Sequence, residues 1–279
     1  FGVVWSAAAA GLPHSHMIDI HHHCLPGVDD GPDTWDEAVA QCRLAADEGI
    51  ETIIATPHVL RGRWQNTSKQ ELATRLDKLR SLVGAAPQLI LGSEYFFAHD
   101  MAEMLASGEA IIPLAGSRYV LIEFASHTIP PLVEQPLYRA QLEGWIPVIA
   151  HPERNVVFQA KPDLLASLVA LGAKTQVTCG SFIGEFGSDA KRAAESLLAR
   201  GMVHFVATDA HDVRRRAPRA RDAVARITEI AGGRVAEALT VGNPRSILDN
   251  RSLEFEPEIV QTRSPGGFLN KLKGFFTPS

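Results

Sequence analysis

The sequence predicts an α/β protein in which parallel strands form a sheet covered by helices. Short runs rich in Ile and Val alternate along the chain with longer segments of helical periodicity, and the short runs cannot be helices. Such alternation is typical of parallel strands joined by helical crossovers. A closed barrel and an open doubly wound sheet both fit, although no glycine-rich phosphate-binding pattern follows the first strand.

Seven segments are predicted as strands. They are residues 18–20, 52–55, 88–91, 119–122, 146–150, 174–177 and 203–207. Between them, capping residues, proline and glycine mark helix ends. Helices are expected over 34–49, after the capping box of Ser68 and Glu71, over 162–172 and over 188–201.

Composition excludes several classes of protein. The 279 residues carry a formal net charge of −5, with a pI near 6.1, which argues against a nucleic-acid binder because such a protein needs a basic face. Three cysteines (Cys24, Cys42 and Cys179) without CxxC spacing favour a reducing, cytoplasmic setting. No apolar run reaches the length of a membrane span.

The two ends differ from the middle. Residues 1–16 are expected to be a non-native leader or tag, because Met17 opens the first strand pattern. Residues 17–250 show no linker and are predicted to form one domain. The tail, 251–279, ends in a short amphipathic and basic segment. We expect it to dock on the domain or to be partly disordered, and membrane contact through this tail is the alternative.

Six of the seven predicted strands end in histidine or a carboxylate. These residues are His21, His23 and Asp30 after the first strand, His58 after the second, Glu94 after the third, Glu123 at the fourth, His151 after the fifth, and Asp209 and His211 after the seventh. In a β/α barrel the carboxyl ends of all strands meet at one face, so these residues would converge.

This convergence predicts a polynuclear metal site. Without cations, so many imidazoles and carboxylates in one cleft would be unpaired and costly. The donor set lacks thiolate and suits Mn, Fe or Zn. Cys24 is interpreted as a packing residue, and isolated histidines such as His99, His127 and His204 as surface or core residues.

Several segments also resemble those of a known family. MIDIHHHCLPGVDDG, ATPH, GSE, HPER and TDAH are similar to segments of bacterial PHP-superfamily phosphatases, above all the manganese-dependent protein-tyrosine phosphatases of capsule and exopolysaccharide operons. The resemblance extends from Met17 to about Asn250. It implies a seven-stranded distorted TIM-like (β/α)7 barrel, the PHP fold. His22 stands where the family usually has a small polar residue, and it should point away from the site.

The resemblance further implies three divalent metal ions, most often manganese. One ion would be held by His21, His23, Glu94 and Asp209; a second by Glu94, Glu123 and His151; and the third by Asp30, His58 and His211. The substrate phosphate would be held by Arg154 and by one arginine of the run 214–216, which we take to be Arg216.

The implied reaction is hydrolysis of phosphotyrosine in a protein, such as the tail of a bacterial tyrosine kinase. A metal-bridging hydroxide would attack phosphorus directly, without a phosphoenzyme. No cysteine here is followed by arginine six positions later, so a cysteine-based mechanism is rejected. The basic run 214–219 would attract an acidic phosphopeptide. A histidinol-phosphate-type phosphatase and a non-catalytic metal-binding module are the alternatives. The sequence leaves the oligomeric state open.

Overall fold

The structure is a computed structural model that describes residues 16–108 and 110–260, and it contains a mixed α/β fold with parallel strands. The strands of these residues are β1 (Met17–His22), β2 (Ile50–Ala55), β3 (His58–Val59), β4 (Gln88–Leu91), β5 (Glu94–Phe96), β6 (Tyr119–Glu123), β7 (Ile146–Ala150), β8 (Lys174–Thr178) and β9 (Phe205–Ala207). All seven predicted strands are therefore present, and β3 and β5 are additional.

Helices connect and cover the strands. The α-helices are α1 (Trp35–Asp47), α2 (Lys69–Val83), α3 (Met101–Ser107), α4 (Glu134–Leu142), α5 (Val156–Ala160), α6 (Pro162–Ala170), α7 (Cys179–Ile183), α8 (Gly187–Ala199), α9 (Ala220–Ala231), α10 (Gly233–Glu237) and α11 (Asn243–Leu248). Short 3-10 turns occupy Leu114–Gly116 and Pro152–Arg154, and a π-helical turn occupies Ala238–Gly242.

The described strands form two parallel sheets, ordered β1-β2-β4 and β3-β5-β6-β7-β8-β9. A closed seven-stranded barrel is therefore not confirmed. Pro57, which has no backbone N–H, separates β2 from β3. Gly92 interrupts the next strand, and a side chain there would meet Ile54 at 2.9 Å. The far edges of the two sheets meet where Asp209 N donates to His21 O at 2.8 Å.

Two helix starts illustrate how local sequence sets the connections. Thr34 and Glu37 form the complete capping box of α1, and the Ser68 side chain accepts from Glu71 N at the start of α2. Ser188, in contrast, does not open α8. That helix begins one residue earlier at Gly187, whose φ of +86° lets the chain turn sharply there.

The first ten residues of the predicted tail pack on the domain. Tyr119 Oη donates to Arg251 O at 2.7 Å, and Asn243 Nδ2 donates to Phe255 O at 2.8 Å. Phe255 and Ile259 pack against the hydrophobic core. The predicted amphipathic segment and residues 1–15 of the leader lie outside the described residues. Over the part of the chain that the structure describes, every helix is too short or too polar to cross a membrane.

Candidate metal centre

The carboxyl ends of the strands bring together all nine predicted metal-type residues. His21 lies on β1, His58 on β3, Glu94 on β5 and Glu123 on β6, while His151 follows β7 directly. The loops after β1 and β9 supply the others: His23, Asp30, Asp209 and His211. The nine side chains form one continuous cluster of close contacts. Eight of them are buried, and Asp30 is 35% exposed.

Glu94 lies at the centre of the cluster. Its Oε1 is 2.9 Å from His151 Nε2 and 3.4 Å from His21 Nε2. Its Oε2 is 2.8 Å from His58 Nδ1 and 3.5 Å from His23 Nε2. Both carboxylate oxygens therefore face imidazole nitrogens, as a carboxylate able to bridge two cations must.

Four overlapping groups have donor atoms within 4.8 Å of one another. They are His23, Asp30, His58 and His211; His21, His23 and Glu94; His21, His151 and Asp209; and His58, Glu94 and Glu123. The first group contains the whole set expected for the third ion. The last differs from the expected second set, because His58 accompanies the two glutamates and His151 lies with Asp209.

Two residues absent from the prediction orient His21 and His23. His21 Nδ1 is 2.8 Å from Gln176 Oε1, and His23 Nδ1 is 2.8 Å from Asp29 Oδ2. Each contact fixes Nδ1 as the donor and leaves Nε2 for the cluster, where the two Nε2 atoms are 3.2 Å apart. The sequence held one signal for Gln176: it lies on the one predicted strand that ends without a histidine or carboxylate, where a residue supporting a ligand could be sought.

His22 points away from the cluster, as expected. Its Nδ1 lies 2.8 Å from Asp19 Oδ2, and Asp19 also accepts from Thr208 N at 2.9 Å. This buried contact joins β1 to the segment that carries Asp209. The backbone there is constrained, since Asp209 has a φ of +52° and His151 a φ of +32°. Residues other than glycine that adopt this left-handed conformation are found mostly at functional sites.

Competition between burial and charge sets unusual pKa values in the cluster. Burial disfavours the charged form of His58, but Glu94 and Asp30 together outweigh it and raise the pKa of His58 to about 9. Burial and the charge of Glu94 raise the pKa of Glu123 to about 7. Burial and Arg154 lower the pKa of His151 to about 3. Without bound cations, the cluster would therefore hold charged and neutral groups side by side.

The donor atoms fit divalent cations. Several buried atoms of the cluster lie close to other charged groups but make no well-oriented hydrogen bond among the described residues. They include His58 Nδ1, Glu94 Oε2, Glu123 Oε2 and His211 Nε2. Unpaired buried polar atoms are costly, and imidazole nitrogens and carboxylate oxygens are the atoms that Mn, Fe and Zn bind. Cys24, Cys42 and Cys179 are buried free thiols outside the four groups.

Both predicted arginines meet at one carboxylate of the cluster. Arg154 and Arg216 each place an Nη2 atom 2.7 Å from Asp209 Oδ2. Burial opposes ionisation of Asp209, but Arg216 and His21 keep its pKa well below the usual range. Both arginines line a cavity of about 240 Å³ above the cluster. Arg61, which the sequence did not single out, lines the same cavity.

Fold and site together define a class: an α/β protein with a candidate centre for several divalent cations at the carboxyl ends of parallel strands. The chain belongs to the CpsB/CapC family of capsular polysaccharide synthesis, whose model matches residues 17–249. This finding confirms the resemblance seen in the sequence.

Known members of the family cover nearly the whole domain. The chain is 36% identical over 262 residues to the tyrosine-protein phosphatase YwqE of Bacillus subtilis, spanning 93% of this chain and 100% of that one. It is 33% identical over 240 residues to the tyrosine-protein phosphatase CpsB of Streptococcus pneumoniae, spanning 83% of this chain and 98% of the relative.

Solved structures agree. One solved structure comes from work on YwqE from B. subtilis and CpsB from S. pneumoniae, described there as unique metal-dependent tyrosine phosphatases. It superimposes on this chain with a TM-score of 0.83 at 35% identity, over 88% of this chain and 100% of that one. The lactonase Lmo2620 from Listeria monocytogenes shares the fold alone, with a TM-score of 0.51 at 13% identity over 87% of this chain and 96% of the lactonase.

Proposed function

We propose that this protein is a metal-dependent phosphatase that hydrolyses phosphotyrosine in proteins. The observation that carries the proposal is the joining of two features in one cavity. Six of the nine clustered imidazole and carboxylate side chains line it, and two arginines that also line it reach the same cluster carboxylate. The names of the relatives support the same activity.

Three divalent ions, manganese in the first instance, would occupy the cluster. His21, His23, Glu94 and Asp209 would hold one, Glu94 and Glu123 with His151 or His58 a second, and Asp30, His58 and His211 the third. When bound, the ions supply a water of lowered pKa and stabilise charge on the phosphoryl group. Gln176 and Asp29 would keep the imidazoles of His21 and His23 turned so that each Nε2 faces the cluster.

The phosphate would bind to Arg154 and Arg216. A guanidinium offers planar, paired donors that match phosphate oxygens. Arg154 is positioned by the ring of Phe186, whose centroid lies 4.6 Å from the guanidinium carbon. The phenol ring of the substrate would lie against Phe124 and Phe158, which line the same cavity and pack edge to face at 6.1 Å.

Wider features follow from this activity. The unit that carries it would be the domain 17–250, with its strands closed into the seven-stranded barrel of the PHP fold. A bacterial tyrosine kinase of a polysaccharide assembly system would supply the substrate tail. The reaction would take place in the cytoplasm, whose reducing conditions suit three free cysteines. The exposed Arg214 and Arg215 beside Arg216 would attract an acidic segment of that tail.

The test is turnover by the purified full chain with Mn²⁺. We expect hydrolysis of a phosphotyrosine peptide and little hydrolysis of the matched phosphoserine peptide or of histidinol phosphate. Chelation should abolish the activity, and added Mn²⁺ should restore it. Full activity after chelation, or faster turnover of histidinol phosphate, would contradict the proposal.

A further inference from the structure

Arg61 lies on a small hairpin that the sequence did not mark as functional. Arg61 N donates to Trp64 O and Trp64 N donates to Arg61 O, both at 2.9 Å, so that Gly62 and Arg63 form the tip. Gly62 has a φ of +55°, which suits this tight turn. The hairpin is therefore a defined element rather than a loose loop.

The hairpin is fixed to the metal-type cluster through His58. The ring of Trp64 stacks on the imidazole of His58 at 5.3 Å with an interplanar angle of 19°. Asn66 Nδ2 donates to His58 O at 2.7 Å and to Val28 O at 2.9 Å. These contacts hold the base of the hairpin against β3 and thereby fix where Arg61 projects.

Arg61 lines the same cavity as the two predicted arginines but contacts different residues of the cluster. Its Nε lies 2.7 Å from Glu123 Oε2 and its Nη1 lies 2.7 Å from His58 Nε2. Arg154 and Arg216 contact Asp209. The Arg61 side chain is 30% exposed, and its two contacts engage two of the five guanidinium donors, so that others are open to a bound anion.

We propose that Arg61 is a third phosphate-binding arginine, which holds the substrate phosphoryl group from the side of Glu123. A phosphate monoester has three non-bridging oxygens, and Arg154 and Arg216 both contact the same carboxylate, that of Asp209. Arg61 offers a further guanidinium in the same cavity, next to Glu123 and His58. The inference rests on the proposed function, because it deepens the description of the same site.

A purely structural role gives a different expectation. If Arg61 served only to neutralise Glu123, its loss would disturb the neighbouring metal-type residues. Metal content would then fall, and phosphate affinity per metal-loaded protein would stay the same. Metal content and phosphate affinity therefore separate the two roles.

The experiment compares Arg61→Gln and Arg61→Lys with the unaltered chain. We expect calorimetric titration with inorganic phosphate, on full-length protein loaded with Mn²⁺, to show affinity about 10- to 100-fold lower for Arg61→Gln, the range for a lost charge-assisted hydrogen bond. Arg61→Lys should lose less, since it keeps the charge but not the planar fork. Metal content should match that of the unaltered chain in both variants.

Arg63→Ala is the matched control. Arg63 lies on the same hairpin and packs on the same Trp64 ring, 4.9 Å from its centroid, but it does not line the cavity. Unchanged phosphate affinity in Arg61→Gln, a loss equal to that of Arg63→Ala, or depleted metal would overturn the proposal. Phosphate binding is measured without turnover, so failure of the unaltered chain to hydrolyse phosphotyrosine would count against the proposed function and not against Arg61.

Discussion

Two buried histidines at opposite ends of the strands show what distinguishes the candidate centre from ordinary core. His204 lies beside the amino end of β9, where Thr175 N donates to its Nδ1 at 3.2 Å. Burial and the nearby Lys174 lower the pKa of His204 to about 3. His23 lies at the carboxyl end of β1 and is equally buried. Burial again disfavours its charged form, but Asp29, Asp209 and Glu94 raise its pKa well above the usual value.

Burial is therefore common to both histidines, and what differs is how many buried carboxylates surround them. The carboxylate near His204, Glu256, is 3.9 Å away and more than half exposed, whereas those around His23 are buried. At the amino end, a protein donor satisfies the neutral ring of His204. At the carboxyl end, buried imidazole and carboxylate atoms crowd against one another without well-oriented hydrogen bonds: His58 Nδ1 and Glu94 Oε2 are 2.8 Å apart, yet neither has such a bond among the described residues. Buried imidazole nitrogens and carboxylate oxygens crowded together in this way favour a bound cation.

Removing one charge from the carboxyl end should have the largest effect. Glu94→Gln should lose bound metal and lower kcat/KM by more than about 100-fold. Substituting residues that only hydrogen-bond to metal ligands already lowers metal affinity or activity by about 10- to 100-fold. Metal analysis and steady-state kinetics measure both effects. Glu256→Gln is the control at the amino end, where Glu256 accepts from Lys174 at 2.7 Å. Equal behaviour of the two variants would refute the special role of Glu94.

Arg154→Ala should separate phosphate binding from metal binding. The variant keeps every metal-type residue but loses a guanidinium that lines the cavity. We expect metal content to be retained and KM for a phosphotyrosine peptide to rise by about 10- to 100-fold, as for the loss of hydrogen bonds to a charged group. Depleted metal with an unchanged KM would show that Arg154 supports the cluster instead.

Gln176→Leu should have a smaller effect. The change removes the oxygen that accepts from His21 Nδ1, so the imidazole loses its fixed tautomer and orientation. Affinity for Mn²⁺ should fall by about 10-fold, measured by competition with a chelator of known affinity. Thr178→Val on the same strand is the control, since Thr178 Oγ1 has no hydrogen-bond partner among the described residues. Equal losses in both variants would mean that β8 acts only through packing.

The sequence predicted the strands and the nine cluster residues at the strand ends because both are marked by local sequence patterns. A short Ile- and Val-rich run and the residue that follows it can be identified without knowing the fold. Gln176 and Arg61 could not be identified in this way. Gln176 is 155 positions from the histidine it orients, and Arg61 depends on how a hairpin rests on His58. The division of the strands into two sheets was not predicted either, because it depends on how β2 and β4 give way to β3 and β5 at Pro57 and Gly92.

The stability of the protein should depend on pH through His204. The folded-state pKa of His204 is lowered to about 3, so only the unfolded state takes up its proton as pH falls through about 6.5. Stability from this group is therefore present above pH 6.5 and is lost progressively below it. Between pH 7.5 and 5.5 the free energy of unfolding should fall by about 1 kcal/mol more in the unaltered chain than in His204→Gln. Urea unfolding of both proteins at the two pH values measures the difference, and other titrating groups cancel in the comparison. Parallel losses in the two proteins would show that His204 gains its proton without unfolding, and the contrast between the two ends would then rest on the crowded atoms of the cluster alone.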